Sequence, residues 1–275
     1  MITIIIDCAD AKGLIYKITG VISQMELNIT ANREFVEREK NRFYMRTCID
    51  GEVDVNTLEV ELKKVLPEDH TLIIHTGTLK RIVLMVTKEE HCLTELISRY
   101  YFGNLKAEIL AVVGNHNHLK NYTEKFSIPY HYITHEGKTR DEHEAEVLKC
   151  LQSYKPDYIV LAKYMRILSE SFTNHFPNKM INIHHSFLPA FKGANPYRQA
   201  YERGVKIIGA TAHFVNQDLD EGPIICQEVL SVDHSLSSHD MSSAGKDVEK
   251  MVLAKAIQLV VDDRVYVTHN KTIVF

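Results

Sequence analysis

The chain has 275 residues, more than the usual single-domain span of roughly 100–200, which implies two domains. Its 45% hydrophobic and 25% charged residues are those of a globular protein, and a formal charge of -4 supplies no basic field. That counts against nucleic acid as a partner, because backbone binding needs clustered cations. The start MITIIIDCAD has no basic segment or cleavage site, and no apolar run approaches the ~18 residues of a membrane span, so the expectation is a cytoplasmic protein with no membrane partner. Cys8, Cys48, Cys92, Cys150 and Cys226 are scattered without a C-x-x-C pair and read as reduced, mostly buried thiols.

In chain order, MITIII is a β-branched run that predicts a buried strand, and Asp10-Ala11-Lys12-Gly13 is a turn into a helix. Leu14, Ile18, Val21, Ile22 and Met25 recur at helical spacing. NITANREFVE and RFYMRTCID are strand-like, with EKN as the turn between them. DVNTLEVELKKVL is an amphipathic helix capped by Asp54 or Asn56, and HTLIIHT closes the unit as a strand. The order β-α-β-β-α-β predicts a small ferredoxin-like domain over residues 1–77.

After Gly77 strands alternate with helices: IVLMV, LTELISRYY, AEILAVVG, HLKNYTEKF, PYHYI, EAEVLKCLQSY, DYIVLA and MINIHH. Near-continuous apolar strands in such alternation predict an α/β domain over residues 80–275, a mostly parallel sheet with helices on both faces. The tail reads as a long amphipathic helix, DVEKMVLAKAIQLVVDD, and a terminal hairpin, RVYVTHNKTIVF.

Reactive residues concentrate in MINIHHSFLPAF. Alternation along a strand puts Asn182 and His184 on one face and Ile183 and His185 on the other, with a turn expected at Leu188-Pro189. An amide donor beside an imidazole can polarise a carbonyl and stabilise the oxyanion formed when it is attacked. Read alone, either histidine is equally a packed core residue. In ATAHFVNQDLDEGPIICQ, a strand carrying His213 runs into a loop with Asp218, Asp220 and Glu221. A carboxylate there can orient an imidazole or a water, although Asp and Gly in a loop also serve as plain turn residues.

Together YMRIL, MINIHHSFLP and HFVNQDLDEGPI resemble the folate-dependent formyltransferase family, with the N-x-H pair and the L-D-x-G-P loop in the same order; the resemblance runs from Lys80 to the carboxyl terminus. It implies a Rossmann-like formyltransferase domain in which Asn182, His184 and Asp220 are catalytic. It also implies that Met165, Arg166 and Leu168, with the loop Val215, Asn216, Gln217, Asp218 and Leu219, grip the pterin ring, and that His213 supports them. No metal or other cofactor is implied.

Transferases of the family that act on glycinamide ribonucleotide carry a Gly- and Ser-rich loop after their first strand, where backbone amides cradle a phosphate. The corresponding VTKEEHCL has no glycine and two carboxylates, Glu89 and Glu90. His184-His185, GANPYRQAYERG and the amino-terminal domain, which resembles an ACT module through Asp10-Ala11-Lys12-Gly13-Leu14, match instead the branch that hydrolyses 10-formyltetrahydrofolate to tetrahydrofolate and formate. That branch supplies formate for purine biosynthesis and balances one-carbon folate pools. The resemblance further implies glycine and methionine as effectors and a homo-oligomer, although Ala9 stands where a proline often precedes the aspartate. Three alternatives stand beside this reading: formyl transfer from 10-formyltetrahydrofolate to an amine such as glycinamide ribonucleotide, a histidine-based metal hydrolase, and a sensor without turnover. The loop composition opposes the first. No H-E-x-x-H spacing supports the second, and all three catalytic positions are present against the third.

Overall fold

The computed structural model describes residues 1–188 and 196–275, which divide into two compact units, Met1–Thr78 and Leu79–Val274. The expected turn at Pro189 and the Gly-Ala-Asn of GANPYRQAYERG lie outside the described residues.

The first unit runs β1 (Ile2–Ala9), α1 (Leu14–Gln24), β2 (Asn28–Glu37), β3 (Arg42–Asp50), α2 (Val55–Val65), β4 (Thr71–His75). All its strand pairs are antiparallel, in the order β2-β3-β1-β4. Residues Arg38–Lys40 form a 3-10 turn closed by Asn41 at φ 51, a left-handed position that asparagine tolerates. Of the two candidate caps of α2, Asp54 is the one used: its carboxylate accepts from the Thr57 amide at 2.9 Å. Leu14, Ile18 and Ile22 of α1 and Leu58 and Leu62 of α2 join Ile4, Ile6 and Cys8 of β1 in one core. The period-2 face of the strand meets the helical stripes, as the sequence pattern requires.

The second unit contains β5 (Lys80–Val86), α3 (His91–Tyr101), β6 (Ala107–Gly114), α4 (Lys120–Glu124), β7 (Tyr130–Tyr132), α5 (Arg140–Tyr154), β8 (Tyr158–Leu161), α6 (Glu170–Thr173), β9 (Met180–His184), α7 (Pro196–Arg203), β10 (Ile207–Phe214), β11 (Ile224–Ser231), α8 (Ser238–Val261), β12 (Val265–Thr268) and β13 (Lys271–Val274). Among the described residues its main sheet has the order β11-β10-β9-β8-β5-β6-β7. The pairs from β9 through β7 are parallel, while β10 and β11 run antiparallel at one edge. Ile82, Leu84 and Val86 share a core with Leu93 and Leu96 of α3 and Leu253 and Ile257 of α8. The alternate residues Val83 and Met85 pack with Val147 and Leu151 of α5 on the other face. Each such fully buried aliphatic side chain contributes about 1.5–3 kcal/mol. β12 and β13 form the expected hairpin.

α8 begins at Ser238, well before the expected start at Asp247, because a capping box joins Ser237 and Asp240 and satisfies the first amides. The polar first turns, SHDMSSAG, hide the helix from a periodicity reading. α6 and α7 were not expected either, being short and largely polar. Among the described residues no helix is long and apolar enough to cross a membrane.

The strand order reverses between β5 and β8. Crevices at the carboxyl ends of strands beside such a reversal are where open α/β sheets bind ligands.

Candidate active site

β9 ends on Asn182-Ile183-His184, and its antiparallel partner β10 sets His213 opposite Asn182 and Thr211 opposite His184. Directly opposed residues on one face are close enough for side chains to touch. His213 Nδ1 donates to the Phe214 carbonyl at 2.8 Å, which leaves Nε2 to accept from the Asn182 amide nitrogen at 3.3 Å. Thr211 is fully buried. Its hydroxyl donates to the Ser186 carbonyl at 2.9 Å and accepts from the Leu188 amide at 3.1 Å, and so fixes the chain as it leaves β9.

The loop after β10 folds back along β9. The Phe214 amide donates to the Pro223 carbonyl at 2.8 Å, and the Val215 amide to the Met180 carbonyl at 2.9 Å. A Cβ on Gly222 would meet the Phe214 carbonyl oxygen at 1.8 Å, so only glycine permits this close return. Asp220 sits within the return at φ 58, with Oδ2 3.3 Å from His184 Nδ1 and Oδ1 3.7 Å from His213 Nε2. Burial pushes the Asp220 carboxyl up, but the hydrogen bond and attraction to His184 outweigh it and hold the group well below the usual carboxylate range. His184 is buried, and its Nε2 has no hydrogen-bond partner among the described residues.

His185 departs from the expected alternation. The strand stops at His184, so the pleat no longer dictates direction, and the His185 ring stacks on that of His184 with centroids 4.8 Å apart and planes 20° apart. Both rings border one cavity of about 510 Å³.

That cavity brings together every residue expected from the sequence to be catalytic, to grip the pterin or to support the site: Asn182, His184, His213 and Asp220, Met165, Arg166 and Leu168 from the segment after β8, and Val215, Asn216, Gln217, Asp218 and Leu219 from the loop after β10. The Met165 amide donates to the Thr87 hydroxyl at 2.9 Å, and the Arg166 amide to the Tyr164 carbonyl at 2.9 Å, so this segment's course is set by its backbone. Asn216 accepts from the Asp218 amide at 3.1 Å, a local turn bond. Met165, Ile167 and Leu219 are exposed large apolar side chains around the cavity.

Beside the cavity lies a cluster that sequence reading did not find. The Glu249 carboxylate, 1% exposed, is 2.8 Å from His91 Nε2, 3.0 Å from Lys163 Nζ and 2.6 Å from the Tyr197 hydroxyl. Burial raises its pKa, but these three partners lower it further, to about 2. Burial and Glu249 together push the Tyr197 hydroxyl far above its ordinary value. A Cβ on Gly245 would meet the Tyr197 ring at 2.1 Å, so glycine lets the ring lie across α8. No local pattern announces contacts between residues 158 and 52 positions apart; the one available signal was a charged side chain, Lys163, in the apolar run DYIVLAKYM. His91, Cys92 and Glu249 do bring potential metal-ligand atoms within 4.8 Å of one another. Both oxygens of Glu249 are already engaged, however, one of them by the Lys163 ammonium, whose charge opposes a cation beside it.

Profiles of two families match the chain: formyl transferase over residues 80–257 and ACT domain over residues 2–67. The formyltetrahydrofolate deformylase of Escherichia coli K12 is 52% identical over 267 residues, covering 97% of this chain and 95% of that protein. The crystal structure of a formyltetrahydrofolate deformylase from Pseudomonas syringae pv. tomato aligns with a TM-score of 0.95 at 36% identity, over 100% of this chain and 94% of that one. A glycinamide ribonucleotide transformylase from Symbiobacterium toebii aligns less well, with a TM-score of 0.69 at 26% identity, over 74% of this chain and 98% of its own. With a near-complete match to deformylases and both component domains in order, the chain belongs to the formyltetrahydrofolate deformylase family.

Proposed function

We propose that this chain hydrolyses 10-formyltetrahydrofolate to tetrahydrofolate and formate in the cavity at the end of β9. The observation that carries the reading is the convergence of Asn182, His184 and Asp220 on one cavity whose rim is apolar. The pterin ring lies among Met165, Arg166, Leu168 and the 215–219 loop, and the formyl group reaches the strand end. An amide nitrogen carries two N–H groups; Asn182 spends one on His213 and turns the other to the formyl oxygen. His184 uses its unpartnered Nε2 for the same oxygen. Both hydrogen bonds strengthen as the oxygen gains charge during attack by water.

Asp220 enters as a fixed anion, since its carboxyl is held far below the usual range. It orients the His184 imidazole through Nδ1 and accepts a hydrogen bond from the attacking water. Water oxygen bonds to the formyl carbon, the intermediate collapses with cleavage of the carbon–nitrogen bond, and the proton released by water ends on the departing folate nitrogen. The charges this sequence needs come from His184 and Asp220, so it calls on no metal or other cofactor. His213 supports the site by holding Asn182 and flanking Asp220.

Residues 80–275 are the catalytic domain in this reading, and 1–77 form a regulatory domain that takes glycine or methionine and joins copies of the chain, in the cytoplasm. Formyl transfer to glycinamide ribonucleotide is disfavoured by Glu89, whose carboxylate borders the space next to the catalytic end and stands 3.5 Å from Lys246. The test is formate release from 10-formyltetrahydrofolate with and without glycinamide ribonucleotide. Formate at an unchanged rate is expected; a formylated nucleotide at a comparable rate would refute hydrolysis as the activity. Removing residues 1–77 should abolish any amino-acid response while formate release persists.

A further inference from the structure

Lys163 is a buried ammonium that the reaction above does not use. It follows Leu161, the last residue of β8 and the parallel partner of Asn182, by two positions, so it stands beside the strand end that carries His184. It is 5% exposed and its Nζ is 3.0 Å from the Glu249 carboxylate. Its backbone has φ 63, a conformation natural to glycine and costly for a lysine.

That side chain stands at the boundary of two cavities. One is the cavity of Asn182, His184 and Asp220; the other, of about 400 Å³, is polar and bordered by Glu89, Arg198, Ser238, Ser242 and Lys246. Lys163, Met165 and His185 belong to both. If the folate occupies the first cavity, as the proposed function requires, an acceptor larger than water reaches the formyl carbon from the second and must pass Lys163.

We infer that the Lys163 ammonium, clamped by Glu249, fills the position an acceptor amine would need and thereby commits the site to water. A primary amine is mostly protonated at neutral pH, and a fixed ammonium in a poorly solvated wall repels it. The carboxylate that would otherwise attract such a cation, Glu249, already has His91 and Lys163 on one oxygen and Tyr197 on the other. Water is neutral and small, and it suffers neither penalty. Lys163 is thus a specificity-determining residue: without it, the formyl carbon–nitrogen bond to folate breaks while a new one forms to the amine, and the amine's proton passes to the folate nitrogen.

The experiment gives the full-length protein 10-formyltetrahydrofolate and glycinamide, and separates formate from N-formylglycinamide by mass spectrometry. Wild type should yield formate alone. Lys163→Gly, which relieves the backbone, and the charge-balanced double variant Lys163→Gly with Glu249→Gln should form N-formylglycinamide at least about 10-fold above wild type. Lys163→Arg should keep the wild-type partition. Variants that fold and bind folate yet partition like wild type would overturn the inference. Should the glycine variants not fold, wild type decides: glycinamide should leave formate release unaffected, and inhibition by it, or its formylation, would show that the amine position is open. Absence of formate from wild type without any amine would instead refute the proposed hydrolysis, on which this inference rests.

Discussion

Replacing Asp220 by Asn tests the proposed mechanism at its most exposed point. The substitution keeps the shape of the side chain and removes one charge. Its partner, His184 Nδ1, is 3.3 Å away, and two unit charges at that distance interact by about 5 kcal/mol at an effective dielectric constant of about 20. That is roughly 3–4 decades in rate if the charge on His184 develops only in the transition state, in line with the ~10²–10⁴-fold typical of a positioned acid–base group. The turnover number should therefore fall about 10³-fold or more. Folate affinity should change little, because the ring contacts proposed above are made by Met165, Arg166, Leu168 and the 215–219 loop and not by the Asp220 carboxylate. Turnover is read as formate release, affinity as the dissociation constant of a non-hydrolysable folate, and folding as a thermal melt. An Asp220→Asn protein that melts normally and keeps a tenth of wild-type turnover would refute the role given to this carboxylate.

Asn182→Ala and His184→Ala should each lower kcat by about 10²-fold or more with a smaller effect on KM, since in the proposed mechanism both act on the developing oxyanion; steady-state kinetics separates the two. His185→Ala should cost less than His184→Ala yet remain measurable, because its ring is stacked on that of His184, and wild-type kinetics in that variant would dismiss the stacking as inert. Gly222→Ala should displace the Asp220 loop, since the new methyl group meets a backbone oxygen at 1.8 Å, with a loss of activity that addition of folate does not restore. For Glu249 the folded carboxyl is held at about 2 against an ordinary value of 4.5, so its contribution is fully present above pH 4.5 and is lost as pH falls toward 2. The shift corresponds to about 3 kcal/mol, so acid unfolding of wild type should be steeper over that window than that of Glu249→Gln; superimposable pH profiles would contradict the buried pairing.

The sequence by itself determined the order of the domains, the β-α-β-β-α-β and alternating β/α patterns, and the pairing of Asn182 with His184 on one face. Each of these is written in spacings of two to four residues and in turn chemistry, which act within a single element. Motif resemblance extended that to Asp220 and to the segments expected to grip the folate, and the fold gathers all of them around one cavity. Only the tertiary structure decided that His213 faces Asn182, because that depends on the register between β9 and β10. It decided the direction of His185 as well, since alternation holds only as far as the strand and β9 stops one residue short. The Lys163, Glu249, His91 and Tyr197 cluster was invisible for the same reason: its members come from four separate segments, and a buried charge is recognised by the partners packing brings to it, not by its neighbours in the chain.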